Sequence, residues 1–331
     1  MKKIRIAQIG TSQNSHGNDI FNRIKQADDI FEVVGYAMPE NEREKYPWKM
    51  TDFEGYPELT VDEIINDPTI DAVTVETEEK YLTKYALLAA EHKKHLHMEK
   101  PGSACAADFK KLIETAEKNK TVFHIGYMYR YNPVISKLIE EIKNGGLGKI
   151  VSVEAHMSCR HNDDVRKWLE DYKGGMMFFL GCHLADLVLR IMGKPNKIIP
   201  LNRASGLNGI NSEDCGLALF EYDTGISLIK ACDVETGGYA MRHLTVTGEE
   251  KTVEIRPLEM YGENNLYTET AEYKKSADWG DLVGRTRCEE YDRFMPMMRA
   301  FAKMVRGEIE NPYTYDYEYE LYKTVLKCCG I

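Results

Sequence analysis

Residues 94–99 read KHLHME, a short β-type run, and it leads directly into Lys100 and Pro101, so the stretch HLHMEKP at 95–101 is a strand that ends on a glutamate, a lysine and a proline. Four similar runs lie around it: IRIAQIG (4–10), FEVVGYA (31–37), DAVTVET (71–77) and TVFHIG (121–126). Several are apolar on both faces, as strands of a parallel sheet are. Between them lie HGNDIFNRIKQ, a segment opened by the capping-box pattern Thr60-Val-Asp-Glu63, EEKYLTKYALLAAEH and AADFKKLIETAEKN. Strand and helix in alternation predict an α/β, doubly wound parallel sheet of the nucleotide-binding type.

The pattern changes after Pro133. A helix (134–143) leads through the turn NGGLG into the strand IVSVEAHMSC, and an apolar helix follows from Gly174. Strands are then predicted near 197–205, 214–222, 225–234, 241–248 and 250–257, joined by tight turns such as DTG and TGEE. This reads as an α+β half with a large, mostly antiparallel open sheet, closed by YDRFMPMMRAFAKMVRG and YEYELYKTVLKCC. The predicted domains are 1–126 and 127–331, in keeping with a chain of 331 residues, since single cores rarely grow far past about 250.

A net charge of -10 argues against nucleic acid or an anionic membrane surface as the main partner, because either repels it. No apolar run approaches the ~20 residues of a membrane span, and the N-terminal stretch lacks the apolar core of a secretory signal. The eight cysteines are scattered and form no C-x-x-C pair, which predicts reduced thiols and a cytoplasmic protein. A small molecule is the expected partner.

The first strand ends in GTSQNSHG, where a dinucleotide fold carries G-x-G-x-x-G; only Gly10 and Gly17 remain. After the second strand Met38 takes the place of the acid that holds the adenosine ribose. The more specific signals lie further along. The E-K-P at 99–101, G-Y-M-Y-R-Y-N-P at 126–133, NGGLGKI at 144–150 and the Gly174 stretch with Gly181, His183 and Asp186 stand in the order of the glucose-fructose oxidoreductase / inositol dehydrogenase / MocA family, which the whole chain resembles.

That resemblance implies a Rossmann domain, a second domain for substrate binding and oligomerisation, and hydride transfer between NAD or NADP and a hydroxyl of a sugar, inositol or related polyol. It places Gly10, Thr11, Thr77, Glu99 and Lys100 along the cofactor, and Lys100, Arg130, His183 and Asp186 at the substrate, with Lys100 and His183 as the catalytic pair. It also implies a homodimer or homotetramer. The chemistry is consistent with those roles: oxidising an alcohol also releases the hydroxyl proton, which an imidazole of reference pKa ~6.5 accepts at neutral pH, while a lysine polarises the oxygen as a cation. A plainer reading makes Lys100 a surface lysine paired with Glu99, and Arg130 a structural brace. For His183 and Asp186 the plainer reading is a buried, hydrogen-bonded histidine and an Asp186–Arg190 pair along the helix.

Two departures from the family pattern bear on the chemistry. The family has D-x-G-x-H-x-x-D where this chain has F-L-G-C-H-L-A-D, so Phe179 replaces an aspartate one turn before His183. Either His183 works with Lys100 alone, or Tyr127, Tyr129 or Asp186 supplies the missing help, or the usual oxidation does not occur. The second is ETEE at 76–79, which brings carboxylates to a turn that is neutral in the family. Glu78 and Glu79 are explained as acids at a helix N-terminus, and Glu76 is not. Two other functions remain open: a redox-neutral lyase or glycosidase that recycles bound NAD, and a non-catalytic member with a degenerate cofactor site. No metal is expected, because His156 and Cys159 face opposite sides of a regular strand.

Overall fold

The computed structural model describes residues 2–275 and 282–331. Contacts divide the chain into two units, Met1–Met128 with Phe294–Glu320 and Tyr129–Arg293 with Leu321–Ile331.

The first unit is built on β1 (Ile4–Ile9), β2 (Phe31–Ala37), β3 (Ala72–Val75), β4 (His95–Met98) and β5 (Phe123–Ile125), all parallel and ordered β2-β1-β3-β4-β5. Every residue of β3 and β5 is buried, which requires cover on both faces of the sheet. That cover comes from α1 (Gly17–Gln26), α2 (Glu42–Lys45), α3 (Val61–Asn66), α4 (Glu79–Glu91) and α5 (Ala106–Asn119). α1 buries Ile20, Phe21 and Ile24, one stripe of an otherwise polar helix. α3 begins as predicted: the Thr60 hydroxyl accepts from the Glu63 amide at 3.1 Å while the Glu63 carboxylate accepts from the Thr60 amide at 2.7 Å. The chain winds outward from β1 to β2 and returns to β3 on the other side of β1. The carboxyl ends of β1 and β3 therefore flank the point where the winding reverses, the usual ligand position in such sheets.

The helix Met295–Val305, predicted from sequence to close the second half, groups instead with the first unit. Its Phe301 stacks on His124 at 5.4 Å between ring centroids and contacts His97, the two histidines that face each other across β4 and β5. An apolar helix stripe thus covers both rings, and burial holds the His97 imidazole neutral, pushed down to about 3.

In the second unit α6 (Pro133–Lys143), α7 (Asp163–Trp168) and α8 (Cys182–Met192) accompany β6 (Ile150–His156), β7 (Lys197–Arg203), β8 (Cys215–Glu221), β9 (Ile226–Cys232), β10 (His243–Gly248), β11 (Lys251–Ile255), the short pair β12 (Met260–Tyr261) and β13 (Leu266–Tyr267), β14 (Glu269–Lys274) and β15 (Leu282–Arg287). Eight of these strands form one sheet, β15-β14-β11-β10-β6-β9-β8-β7, antiparallel except where β6 runs beside β9. β8 alternates strictly between buried and half-exposed residues, so one face of the sheet is covered and the other open. α8 packs against β6 and β9. The sequence predicts strands only as far as 257; β14 and β15 extend the sheet beyond it. Their polar composition hides them, for in ETAEYK only Ala271 is fully buried. The apolar run from Gly174 also differs from a plain helix, opening with one π-helical turn at Met177–Gly181 before α8 begins.

Candidate functional site

The first group of predicted residues gathers at the carboxyl ends of β1, β3 and β4. Gly10 turns the chain out of β1 with φ +84°, and a Cβ there would lie 2.3 Å from Thr77 Cγ2, so only glycine lets the ends of β1 and β3 close together. Gln8 braces the loop from below, its amide donating to the carbonyls of Gly10 and Gly17 at 3.0 Å each. A Cβ on Gly17 would meet Thr11 Oγ1 at 2.9 Å and Glu76 Cβ at 3.1 Å, so the start of α1 sits tight against the sheet. The two surviving glycines do the work of the tight turn and of close helix packing, and together they form a backbone cradle that fits a pyrophosphate.

The side chains around this cradle are acidic. Thr11 N–H donates to Glu42 Oε2 at 3.3 Å, and Glu42 is buried with no partner for Oε1. Burial pushes its carboxyl up to about 9, against the opposing pull of the Thr11 hydrogen bond and Lys45. Glu42 was not legible in the sequence, where attention falls on Met38. It arrives four residues later, carried inward by Glu40 and Asn41, both in the left-handed region at φ 60° and 59°.

The ETEE turn resolves into three environments. Glu78 pairs with Lys80 at 3.0 Å. Glu79 begins α4 but is fully buried, and burial pushes it up to about 8, partly offset by Lys100. Glu76, the residue without an explanation from sequence, lies buried with one oxygen 3.5 Å from His97 Nε2, its carboxyl raised first by burial and then by Glu99. Lys84, on the helix that follows, pairs with Glu40 at 2.6 Å. At the end of β4, Lys100 Nζ is 3.4 Å from Glu99 Oε1 with both residues about 1% exposed. Lys100 is thus paired with Glu99 and is not a surface lysine.

The second group lies in the other unit. Arg130 Nε donates to Asp186 Oδ1 and Oδ2 at 3.1 and 3.2 Å, and Nη2 donates to Oδ1 at 2.8 Å, with the two side chains 0% and 2% exposed. The charge partner of Asp186 is therefore contributed by a residue 56 positions away, in addition to anything on its own helix. His183 is buried on α8 and meets the Tyr129 ring edge-on at 5.4 Å and 90°. Phe179, where the family has its carboxylate, sits on the π-helical turn against Trp168 at 5.3 Å and His161 at 5.9 Å.

Behind Tyr129 is a cluster that the sequence did not reveal. Glu259 accepts from Arg242 Nη1 at 3.2 Å and from Arg293 Nε and Nη2 at 3.1 and 2.8 Å. Burial, reinforced by Glu259, pushes the Tyr129 phenol well above its ordinary value, so it is held neutral. These residues come from three separate connections and carry no local motif. His156 is engaged by Ser158 and Glu235 at 2.6 and 3.1 Å. Among the described residues no group of three or more His, Cys, Asp or Glu is placed to hold a metal ion. No described helix is long and apolar enough to cross a membrane.

The chain is 30% identical over 135 residues to a myo-inositol 2-dehydrogenase of Thermotoga maritima, a match spanning 40% of this chain and 39% of that protein. Other curated relatives are spanned over about half their length. In structure the chain is similar to a 3-ketoreductase of Actinomadura kijaniata in complex with NADP and TDP-benzene (TM-score 0.80, 14% identity, 98% of this chain and 96% of that one). It is also similar to an aldose-aldose oxidoreductase of Caulobacter crescentus (TM-score 0.79, 16% identity, 99% and 98%). Residues 4–127 match the oxidoreductase family with an NAD-binding Rossmann fold, and residues 135–254 match the GFO/IDH/MocA C-terminal domain. With both halves matched in order, the chain belongs to the GFO/IDH/MocA oxidoreductase family.

Proposed function

We propose that this protein is an NAD(P)-dependent oxidoreductase acting on a hydroxyl of a sugar, inositol or related polyol, with the unit that contains residues 1–126 holding the dinucleotide and the unit that contains Tyr129–Arg293 the substrate. The observation that carries the reading is Lys100, a buried ammonium 3.4 Å from Glu99 at the carboxyl end of β4, in the sheet whose β1 ends in the Gly10 cradle. A buried lysine is costly unless it is paired and used, and the end of a strand in such a sheet is where ligands meet the protein.

Gly10, Thr11 and the start of α1 hold the pyrophosphate on this reading, with Thr77 closing the turn and Glu99 and Lys100 further along. A bound nicotinamide supplies the hydride acceptor or donor. Lys100 polarises the reacting oxygen, and His183 takes or returns the hydroxyl proton. Phe179 gives His183 no carboxylate, so Tyr129 is the neighbour that orients the imidazole. Arg130 and Asp186 neutralise each other and shape the wall that carries His183. The scattered cysteines, with no C-x-x-C pair, support a reducing cytoplasm, and the open sheet face supports a homodimer or homotetramer.

The test is a calorimetric titration with NADH and NADPH, followed by a sugar and polyol panel read at 340 nm with Lys100→Ala and His183→Ala as controls. Failure of both dinucleotides to bind, with none copurifying, would leave a non-catalytic binding role. Cofactor that copurifies but never exchanges during turnover would favour the redox-neutral reaction.

A further inference from the structure

We propose that Glu42 is an internal occupant of the phosphate loop, which a dinucleotide must displace, so that this side chain sets how tightly the chain holds its cofactor. The inference rests on the dinucleotide reading above and adds a residue to it. An amide at the turn after β1 is where a pyrophosphate oxygen is bound in folds of this kind, and that amide is already engaged here: Thr11 N–H donates to Glu42 Oε2 at 3.3 Å. The same oxygen lies 2.9 Å from the position a Cβ on Gly10 would take, so the carboxyl also covers the glycine whose bare face the phosphates approach.

Glu42 is held in this place by its backbone and not by other side chains. Glu40 and Asn41 adopt the left-handed region in succession, a conformation that residues with a Cβ rarely take. They swing the chain so that the first residue of α2 points into the loop. Once there the carboxyl is only half satisfied, since Oε1 is buried without a hydrogen-bond partner. The charged groups facing it are Lys45, Glu40 and Glu78. Glu40 is bonded to Lys84 and Tyr85, each at 2.6 Å, and Glu78 is paired with Lys80 at 3.0 Å. Two acids against one exposed lysine give Glu42 little to hold it beyond the Thr11 amide. A pyrophosphate and this carboxyl cannot share one N–H.

The experiment compares NADH binding to the full chain, to Glu42→Ala and to Glu42→Gln by calorimetry, together with amide hydrogen exchange of residues 10–17 in the absence of any dinucleotide. The expected result is a Kd about tenfold lower for Glu42→Ala, with Glu42→Gln between it and the parent because its carbonyl still accepts from Thr11. The Thr11 amide should exchange faster in ligand-free Glu42→Ala. Equal or weaker NADH binding by Glu42→Ala overturns the inference while leaving the dinucleotide reading intact, as does unchanged exchange at Thr11. No binding by the parent but measurable binding by Glu42→Ala supports it most directly. No binding by either, for NADH or NADPH, removes the dinucleotide reading and the inference with it.

Discussion

Arg130 grips Asp186 through Nε and Nη2, at 3.1 and 2.8 Å, where neither side chain reaches solvent. A planar guanidinium donating in two directions to one carboxylate recovers much of the desolvation cost of two buried charges, and removing either partner strands the other. Arg130→Ala or Asp186→Ala alone is therefore expected to cost roughly 3–5 kcal/mol in urea unfolding. Arg130→Met with Asp186→Leu is expected to recover most of that loss. Single variants within 1 kcal/mol of the parent would show that the pair is not a closed unit.

Glu79 predicts how stability changes with pH. Its carboxyl is raised by burial from 4.5 in the exposed state to about 8 in the folded protein, so the folded state keeps a proton that the unfolded chain has lost. The contribution is complete below pH 4.5 and is lost as pH rises through about 8. Thermal midpoints measured from pH 5 to 9 should fall more steeply for the parent than for Glu79→Gln, which has no proton to lose. Parallel curves for the two proteins would rule out a protonated Glu79.

Gly10→Ala places a methyl group 2.3 Å from Thr77 Cγ2 and 3.0 Å from Thr77 Cα at a φ of +84°. Moving the threonine side chain does not relieve a contact with the main chain. The substitution should cost more than about 1 kcal/mol in stability and abolish NADH binding, and Thr77→Ala in the same chain should not restore it. Retained binding at the parent's Kd would argue that the loop after β1 does not contact the cofactor.

The catalytic assignment separates binding from chemistry. With a sugar or polyol from the panel that supports turnover, His183→Asn should lower kcat by roughly 10²- to 10⁴-fold while leaving NADH binding close to the parent. Tyr129→Phe tests whether the buried phenol helps His183. A drop in kcat with an altered pH profile is expected, and an unchanged profile would leave Tyr129 as packing alone.

Features built from neighbours along the chain were readable before any fold was known. The Thr60–Glu63 capping box is one, since its bonds close within three residues. The alternation of β1 to β5 with their helices is another, because each strand shows itself as a short run rich in apolar residues between helix-like segments. The same applies to the motifs at Gly10, Lys100 and His183, each a local pattern at the end of an element. Phe179 was recognisable as a departure, though not the π-helical turn that carries it.

What remained hidden depends on contacts between distant parts of the chain. Glu42 reaches Thr11 across 31 residues, Arg130 reaches Asp186 across 56, and Glu259 is met by arginines 17 positions before it and 34 after. The grouping of Phe294–Glu320 with the first unit follows from Phe301 packing on His124, far back in the chain. Residue order alone was enough for local hydrogen bonds and hydrophobic period, because these act over a few residues. Pairing buried charges needed the folded path, since a carboxylate has no local signal for which amide or guanidinium will be brought to it, and here that choice decides whether Glu42 is a surface acid or the occupant of the phosphate loop.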